Sequence, residues 1–501
     1  MNRILKIIGA VAVINIVARL FGFAREVLIG HQFGTGAIAD SIITAYTVPN
    51  FIYLIAGGAL TTAFISVYHR SEQEKGSLVR ETFTGISVFI LLVTALLTVF
   101  AGPVLRLLFG GMEEEGYALA HELYLWMMPS AFFLVLSTWL SGLLNVNDRF
   151  QMSSFAVLLY NFLFFAIPFA FTGVFGAESY GYGALIAAVL MAGFLFWGVS
   201  RLKMYSFRVK WPLGGSQGAL WKMALPIMLG GATLQFYFLI HRIYSAGLGE
   251  GTVSAVNYAS KLTQFPQAIL MTAVTTVIYP LLSRKMGEGD HAAVSSVYRK
   301  GIRALTLLVI PAAIFIWFFA EPMTRLVFGH GSFTEESLAL TAPYVQLFGL
   351  SIFFISLNTY ITRFYYAAGN SLIPVLFSVL GVFLVNIAVI RLTIGEIGGA
   401  AIAWGTIAGS ALNAGLLMGY AAGKLNLSVK EGNGAGWKLP IILLLLIPSA
   451  AMIRWLSDEA TGGAFSEAAG GALIFGLIYL VLLIVFRLPE SKQLILMLKR
   501  K

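Results

Sequence analysis

Long apolar runs, each long enough to cross a hydrocarbon layer, alternate with short polar segments along almost the whole chain. A spanning helix needs roughly 20 mostly apolar residues. On that ruler the predicted spans are 4–30, 38–66, 81–108, 118–145, 151–174, 180–201, 218–247, 253–282, 301–328, 337–366, 372–391, 397–421, 439–456 and 468–487. Helices are predicted throughout, because open strands would leave backbone groups unsatisfied in lipid. The first run continues well past the core of a signal peptide, and no small-residue cleavage site follows it, so it reads as a span. The expected fold class is an all-α membrane protein of about 14 transmembrane helices.

Composition agrees with that pattern. Of 501 residues, 58% are hydrophobic and 11% charged, against about 25% charged in ordinary soluble domains. The chain has no cysteine, which excludes disulfides, thiolate nucleophiles and cysteine metal sites. A net charge of +10 could point to nucleic acid, but its placement gives a different reading. Most Lys and Arg fall in segments on one side of the predicted spans, while the opposite loops carry Glu113-Glu114-Glu115 and Glu335-Glu336. The positive-inside bias then places both termini in the cytoplasm and removes the case for a nucleic-acid partner. The six histidines are scattered over separate segments, and no phosphate-binding glycine loop is present. No cofactor, metal site, catalytic centre or built-in ATP motor is therefore expected, and the protein is not expected to be an enzyme.

The chain also repeats itself. Arg106-Leu-Leu-Phe-Gly110 recurs as Arg325-Leu-Val-Phe-Gly329, and the segment Ser130–Thr138 has its counterpart in Ser351–Thr359. Pro49 followed by Asn50 is matched by Pro266 followed by Gln267. These matches share an offset near 220 residues. They predict two parallel six-helix lobes, 1–210 and 211–425, around a central cavity, with an appended segment 426–501 that carries two more spans.

Eight basic residues are left over from the topology signal. Arg106, Arg325, Arg391 and Arg454 fall near outer span ends, where long side chains snorkel. Arg19, Arg25, Arg242 and Lys261 fall inside spans, where a cation costs about 2.5–3.5 kcal/mol even on the gentlest scale. Two readings are open for them. Cations converging on one cavity would suit a diphosphate, because guanidinium forks match phosphate oxygens. Alternatively, internal acids neutralise them, with Glu26 and Asp40 available and Arg25 with Glu26 a local pair. Inside spans seven to twelve the one acid is Glu321, towards the outer end of span nine, with Glu250 and Glu396 at loop ends, which favours the substrate-facing reading for Arg242 and Lys261. Gly57-Gly58, Gly230-Gly231 and Pro49 read either as hinges or as close-packing points, the second being the commoner use of small residues.

The stretch Ala18-Arg-Leu-Phe-Gly-Phe-Ala-Arg-Glu26 resembles the opening signature of the MurJ/MviN family of bacterial lipid II flippases. So do Phe33-Gly34, Ala39-Asp40, Val48-Pro49-Asn50, the run Ala56–Phe64, Asn145 with Arg149-Phe150, and Tyr258-Ala259 with Phe265-Pro266. The resemblance implies the fold of the multidrug/oligosaccharidyl-lipid/polysaccharide exporter superfamily. It also implies export of the undecaprenyl-diphosphate-linked peptidoglycan precursor across the bacterial cytoplasmic membrane. By position, Arg19 and Arg25 match the family's first-helix cavity arginines, Asp40 its second-helix acid and Lys261 a span-eight arginine. Departures follow Asn50, where the family's arginine pair and glutamate give way to Tyr53, Leu54 and Gly57. Arg242 lies outside the family pattern and is a candidate replacement for the missing cation.

The expected function is a flippase working by alternating access, with Arg19, Arg25, Arg242, Lys261, Asp40 and Asn50 as substrate-binding residues. Glu26 and Asp40 are candidates for ion pairing or coupling. The expected partners are an anionic lipid-linked substrate and the surrounding lipids, with the protein acting as a monomer. A flippase for another polyprenyl-linked glycan is the alternative, and a multidrug or cation antiporter of the same superfamily ranks below it.

Overall fold

The computed structural model describes residues 2–70, 75–210, 215–427, 438–459, 463–486 and 488. Among them every regular element is helical. The chain divides into two compact units, Met1–Asn257 and Tyr258–Lys501.

The first unit holds α1 (Asn2–Phe33), α2 (Ala37–Ile52), α3 (Gly58–Arg70), α4 (Lys75–Val99), α5 (Ala101–Phe109), α6 (Glu114–Met127), α7 (Ser130–Asn145), α8 (Phe150–Phe175), α9 (Glu178–Ser200) and α10 (Gly215–Ser245). A π turn at Tyr53–Gly57 joins α2 to α3 without a break, so both belong to one continuous span. Gly34, at φ 59°, ends α1 in the left-handed region that glycine occupies without strain. Gly57 sits where an added Cβ would lie 2.7 Å from the Thr138 hydroxyl. This glycine is a close-packing point between the π turn and α7, as the commoner reading of the small residues expected. It also explains why no glutamate stands there, since α7 leaves no room for a side chain. The surroundings of Gly230-Gly231 lie outside the described residues.

The segment after α9 is pinned to the first unit at three points. Tyr205 shares hydroxyl hydrogen bonds with Tyr68 (2.8 Å) and accepts one from Asn147 Nδ2 (3.0 Å). Phe207 packs against Phe83, Trp139 and Phe196. Lys210 donates to Ser77 (2.6 Å) and pairs with Glu81, a carboxylate only 1% exposed.

A helix α11 (Thr252–Gly287) begins in the first unit and continues into the second. The second unit then holds α12 (His291–Phe328), α13 (Glu335–Ala367), α14 (Leu372–Val379), α15 (Ile387–Ile397), α16 (Ala400–Lys424), α17 (Lys438–Glu459) and α18 (Gly471–Val485). Further π turns occupy Leu380–Asn386 and Ser466–Gly470. Asp290 caps α12 by accepting from Ala293 N at 3.0 Å. The last two helices dock on α12: Phe319, fully buried, packs with Leu446, Ala450, Ile453 and Phe475. Tyr479 donates to Leu307 O at 2.6 Å. Near the far end of α12, Arg454 meets Glu321, Asp458 and Glu467, and Arg325 pairs with Glu335. These two arginines, expected to snorkel, are held in ion pairs.

Eleven spans among the described residues are long and apolar enough to cross a membrane. α1, α10 and α11, of 32, 31 and 36 residues, are separate from those eleven. All the predicted spans contain helix, and the protein is an all-α, multi-pass membrane protein. Three predicted spans are interrupted or kinked, 81–108 at Phe100, 118–145 at Met128-Pro129 and 301–328 at Phe319.

Candidate functional site

Residues from α1, α2, α10 and the start of α11 converge on one buried polar chain in the first unit. Arg25 Nη2 donates to Glu26 Oε1 at 2.7 Å, with the two side chains 11% and 6% exposed. The other Glu26 oxygen accepts from Asn257 Nδ2 at 2.8 Å. Asn257 Oδ1 in turn accepts from Arg242 Nη2 at 2.9 Å, and Arg242 Nη1 donates to the Thr47 hydroxyl at 2.9 Å. One carboxylate is thus bound directly by one guanidinium and, through a carboxamide, linked to a second.

The two arginines are held by different chemistry. Arg25 has an anionic partner and two aromatic faces, its guanidinium carbon lying 4.4 Å from the Phe164 ring centre and 5.0 Å from that of Tyr46. Each such contact stabilises a cation by about 0.5–2 kcal/mol, comparable in sum to the cost of placing it in a span. Tyr46 is itself fixed by a 2.7 Å hydroxyl contact with Tyr160. Among the described residues Arg242 donates to the neutral oxygens of Thr47 and Asn257, and no carboxylate lies within ion-pair distance of it.

Asp40 is used elsewhere. Its carboxylate accepts from Gly251 N at 2.8 Å and Ser254 N at 2.7 Å, capping the N-terminus of α11. The contact is reciprocated, since Glu250 Oε1 accepts from Ala37 N, the first residue of α2, at 2.8 Å. Each acid satisfies backbone donors left over at the start of the other helix, where the helix dipole also favours negative charge.

The remaining predicted residues stand apart. Arg19 is exposed on α1 and joins none of these contacts. Asn50, half-buried on α2, makes no side-chain hydrogen bond among the described residues. Lys261 follows Asn257 by four residues on α11 and belongs to the second unit. Thr47, Asn257, Tyr46 and Phe164 were not singled out from the sequence. A polar residue inside an apolar run was the available signal for Asn257, but Ser and Thr are common enough in spans to hide Thr47.

A family model described as "Lipid II flippase MurJ" matches residues 29–468. The chain belongs to the MurJ family. A MurJ-family relative from Burkholderia cenocepacia, named lipid II flippase MurJ, is 28% identical over 390 residues, 74% of this chain and 75% of the relative. A solved structure described as lipid II flippase MurJ in an inward closed conformation has a TM-score of 0.82 at 21% identity. It covers 95% of this chain and 98% of its own. An inward-facing multidrug resistance MATE transporter of the MOP superfamily has a TM-score of 0.69 at 15% identity, covering 83% of this chain and 98% of its own. At these identities the two structures speak to fold alone, and they place this MurJ-family chain on the fold that the resemblance implied. The matched segment begins beyond Arg19, Arg25 and Glu26, so their assignment rests on the motif around them and on the contacts described above.

Proposed function

We propose that this protein is a lipid II flippase, carrying the undecaprenyl-diphosphate-linked peptidoglycan precursor from the inner to the outer face of the bacterial cytoplasmic membrane. The observation that carries the reading is family membership over residues 29–468, joined to two arginines held inside the membrane helices around a single carboxylate. Arg25 and Arg242 bind the diphosphate of the head group, Arg19 and Lys261 supply further cations, and Asn50 contributes a polar contact. Asp40 and Glu26 set the positions of these groups through the helix cap and the arginine pair. α1, α10 and α11 complete fourteen spans, arranged as lobes 1–210 and 211–425 with 426–501 appended, both termini are cytoplasmic, and a monomer suffices. Transport proceeds by alternating access, and the protein is a transporter rather than an enzyme. A cation antiporter on the same fold fits less well, because acids facing the cargo would be needed and Glu26 is already bound to Arg25.

Complementation tests the proposal. Depleting the resident lipid II flippase of a bacterial host while expressing this chain should restore growth and the appearance of the precursor on the outer face. Continued lysis, with the protein present in the membrane at normal levels, would overturn it. Restored export of a different polyprenyl-linked glycan under the same conditions would move the assignment to that cargo.

A further inference from the structure

By sequence, α10 heads the second repeat, in the place that α1 holds in the first. The structure packs it with the other repeat: α10 runs along α2, α3, α4, α5 and the π turn at Tyr53–Gly57, all in the first unit. Its opening turns are fastened to α4. Gln217, 7% exposed, donates from its carboxamide to Glu81 O. A Cβ at Gly85, one turn along α4, would lie 2.5 Å from the same carboxamide, so glycine there gives Gln217 its seat. One turn further, the Trp221 and Phe89 rings meet edge to face with centroids 4.5 Å apart. Glu81, Gly85 and Phe89 share one stripe of α4, and Gln217 and Trp221 one stripe of α10. Ahead of α10, Lys210 N donates to the Thr84 hydroxyl at 3.1 Å, and the Lys210 side chain reaches Ser77 and Glu81. The chain just before α10 and the start of α10 itself are thus tied to the same helix.

Resting on the flippase reading with its alternating access, we propose that Gln217 is a positioning residue that anchors the start of α10 to α4 throughout the transport cycle. This end of the helix then travels with the first unit and not with the repeat to which it belongs by sequence. A second repeat moving as one body would have to break the Gln217 and Trp221 contacts at every turnover. Withdrawal would leave a void over Gly85 and a buried carboxamide without its partner. α10 carries Arg242 near its other end, so the anchor sets the point from which that end moves.

The test is cross-linking in the full-length chain, whose lack of cysteine lets an introduced pair report alone. Gly85→Cys with Gln217→Cys removes the carboxamide over residue 85 and puts two thiols within reach of a short bis-methanethiosulfonate bridge. Export of the lipid-linked precursor is read in the flippase-depleted host. Reduced, the double variant lacks the anchoring hydrogen bond and should export about two- to fivefold more slowly than the native chain. Bridging should return export to within about twofold of native. A bridge that stops export, with recovery on reduction, would overturn the inference, because the start of α10 must then leave α4. Native-rate export by the reduced variant would overturn it too, by making Gln217 dispensable. Phe89→Cys with Trp221→Cys, bridged by a longer reagent, should likewise stay active, and it decides the matter if the first pair does not reach the membrane. Spin labels on Leu92→Cys and Leu225→Cys, both at exposed positions of α4 and α10, read the anchor without transport in purified protein. One narrow distance is expected with and without lipid II, and a second distance would overturn the anchor. A native chain that fails to complement yet keeps the single distance would sink the flippase reading alone.

Discussion

Replacing Asp40 by alanine removes an anion that is 4% exposed and accepts from two backbone donors, Gly251 N and Ser254 N. The hydroxyl of Ser254 is already committed to Gly251 O at 2.9 Å and does not take over the role. Hydrogen bonds to a charged group contribute about 1.5–3 kcal/mol each, and a partly buried anion at a helix N-terminus up to about 2 kcal/mol, with the two overlapping. Asp40→Ala should therefore cost about 3–5 kcal/mol. Asp40→Asn, which keeps one acceptor and the shape but loses the charge, should cost about 1–2 kcal/mol. Glu250 makes the reciprocal contact at an exposed site, and Glu250→Gln should cost less than about 1 kcal/mol. The assay is denaturant unfolding in detergent micelles followed by tryptophan fluorescence, comparing midpoints at a constant slope. Equal losses for Asp40→Ala and Glu250→Gln, or a loss below about 1 kcal/mol at Asp40, would refute the view that burial makes this cap strong.

Three further outcomes follow from contacts already described. Lys210→Met strands the buried carboxylate of Glu81 and should destabilise by about 1–3 kcal/mol, less than for a fully buried pair because Lys210 is 38% exposed. The double variant Lys210→Met, Glu81→Leu should recover most of that loss, and a double variant less stable than either single one would contradict the argument. Gly57→Ala places a methyl against Thr138 and should cost about 1–3 kcal/mol, whereas nothing lies within 4 Å of a Cβ at Gly58 and Gly58→Ala should be nearly neutral in the same unfolding assay. Asp290 is held below the usual carboxylate range, chiefly by the Ala293 N–H and further by Lys285. A depressed value means the cap is at full strength above the ordinary carboxylate pKa and weakens only as pH falls through the lowered one. Amide exchange at Ala293 should stay slow down to about pH 4, and loss of protection well above that pH would exclude the capping role.

The membrane fold was legible because hydrocarbon thickness imposes one length on every span, and apolar runs record it directly. Runs 372–391 and 397–421 fall on α14–α15 and α16. The interruptions at Phe100 and Met128-Pro129 left no mark in the hydropathy, since the residues around them stay apolar. Arg25 with Glu26 was visible as a neighbouring pair, and the structure joins them. The link from Glu26 to Arg242 was not visible, because it runs through Asn257, more than two hundred residues from Glu26 and uncharged. Asp40 was legible as an acid in a span. Its role at the start of α11 depends on which helix end lies beside it, and no local pattern encodes that. Gly57 read as a departure from a family pattern, and only Thr138 opposite it supplied the reason.

The π turn at Tyr53–Gly57 has a consequence for the lengths this span tolerates. Each residue of a helix turns the chain by about 100°, and a π turn accommodates one extra residue without breaking the helix. Downstream, Thr61 donates to Thr138 O at 2.8 Å, and Phe64 is buried against Trp139. Deleting a single residue between Tyr53 and Gly57 would let the turn relax into ordinary α-helix while every later side chain keeps the direction it faces now. Such a deletion should be far less damaging than one in α3 before Thr61, which would turn every later side chain, Phe64 included, by about 100° away from α7.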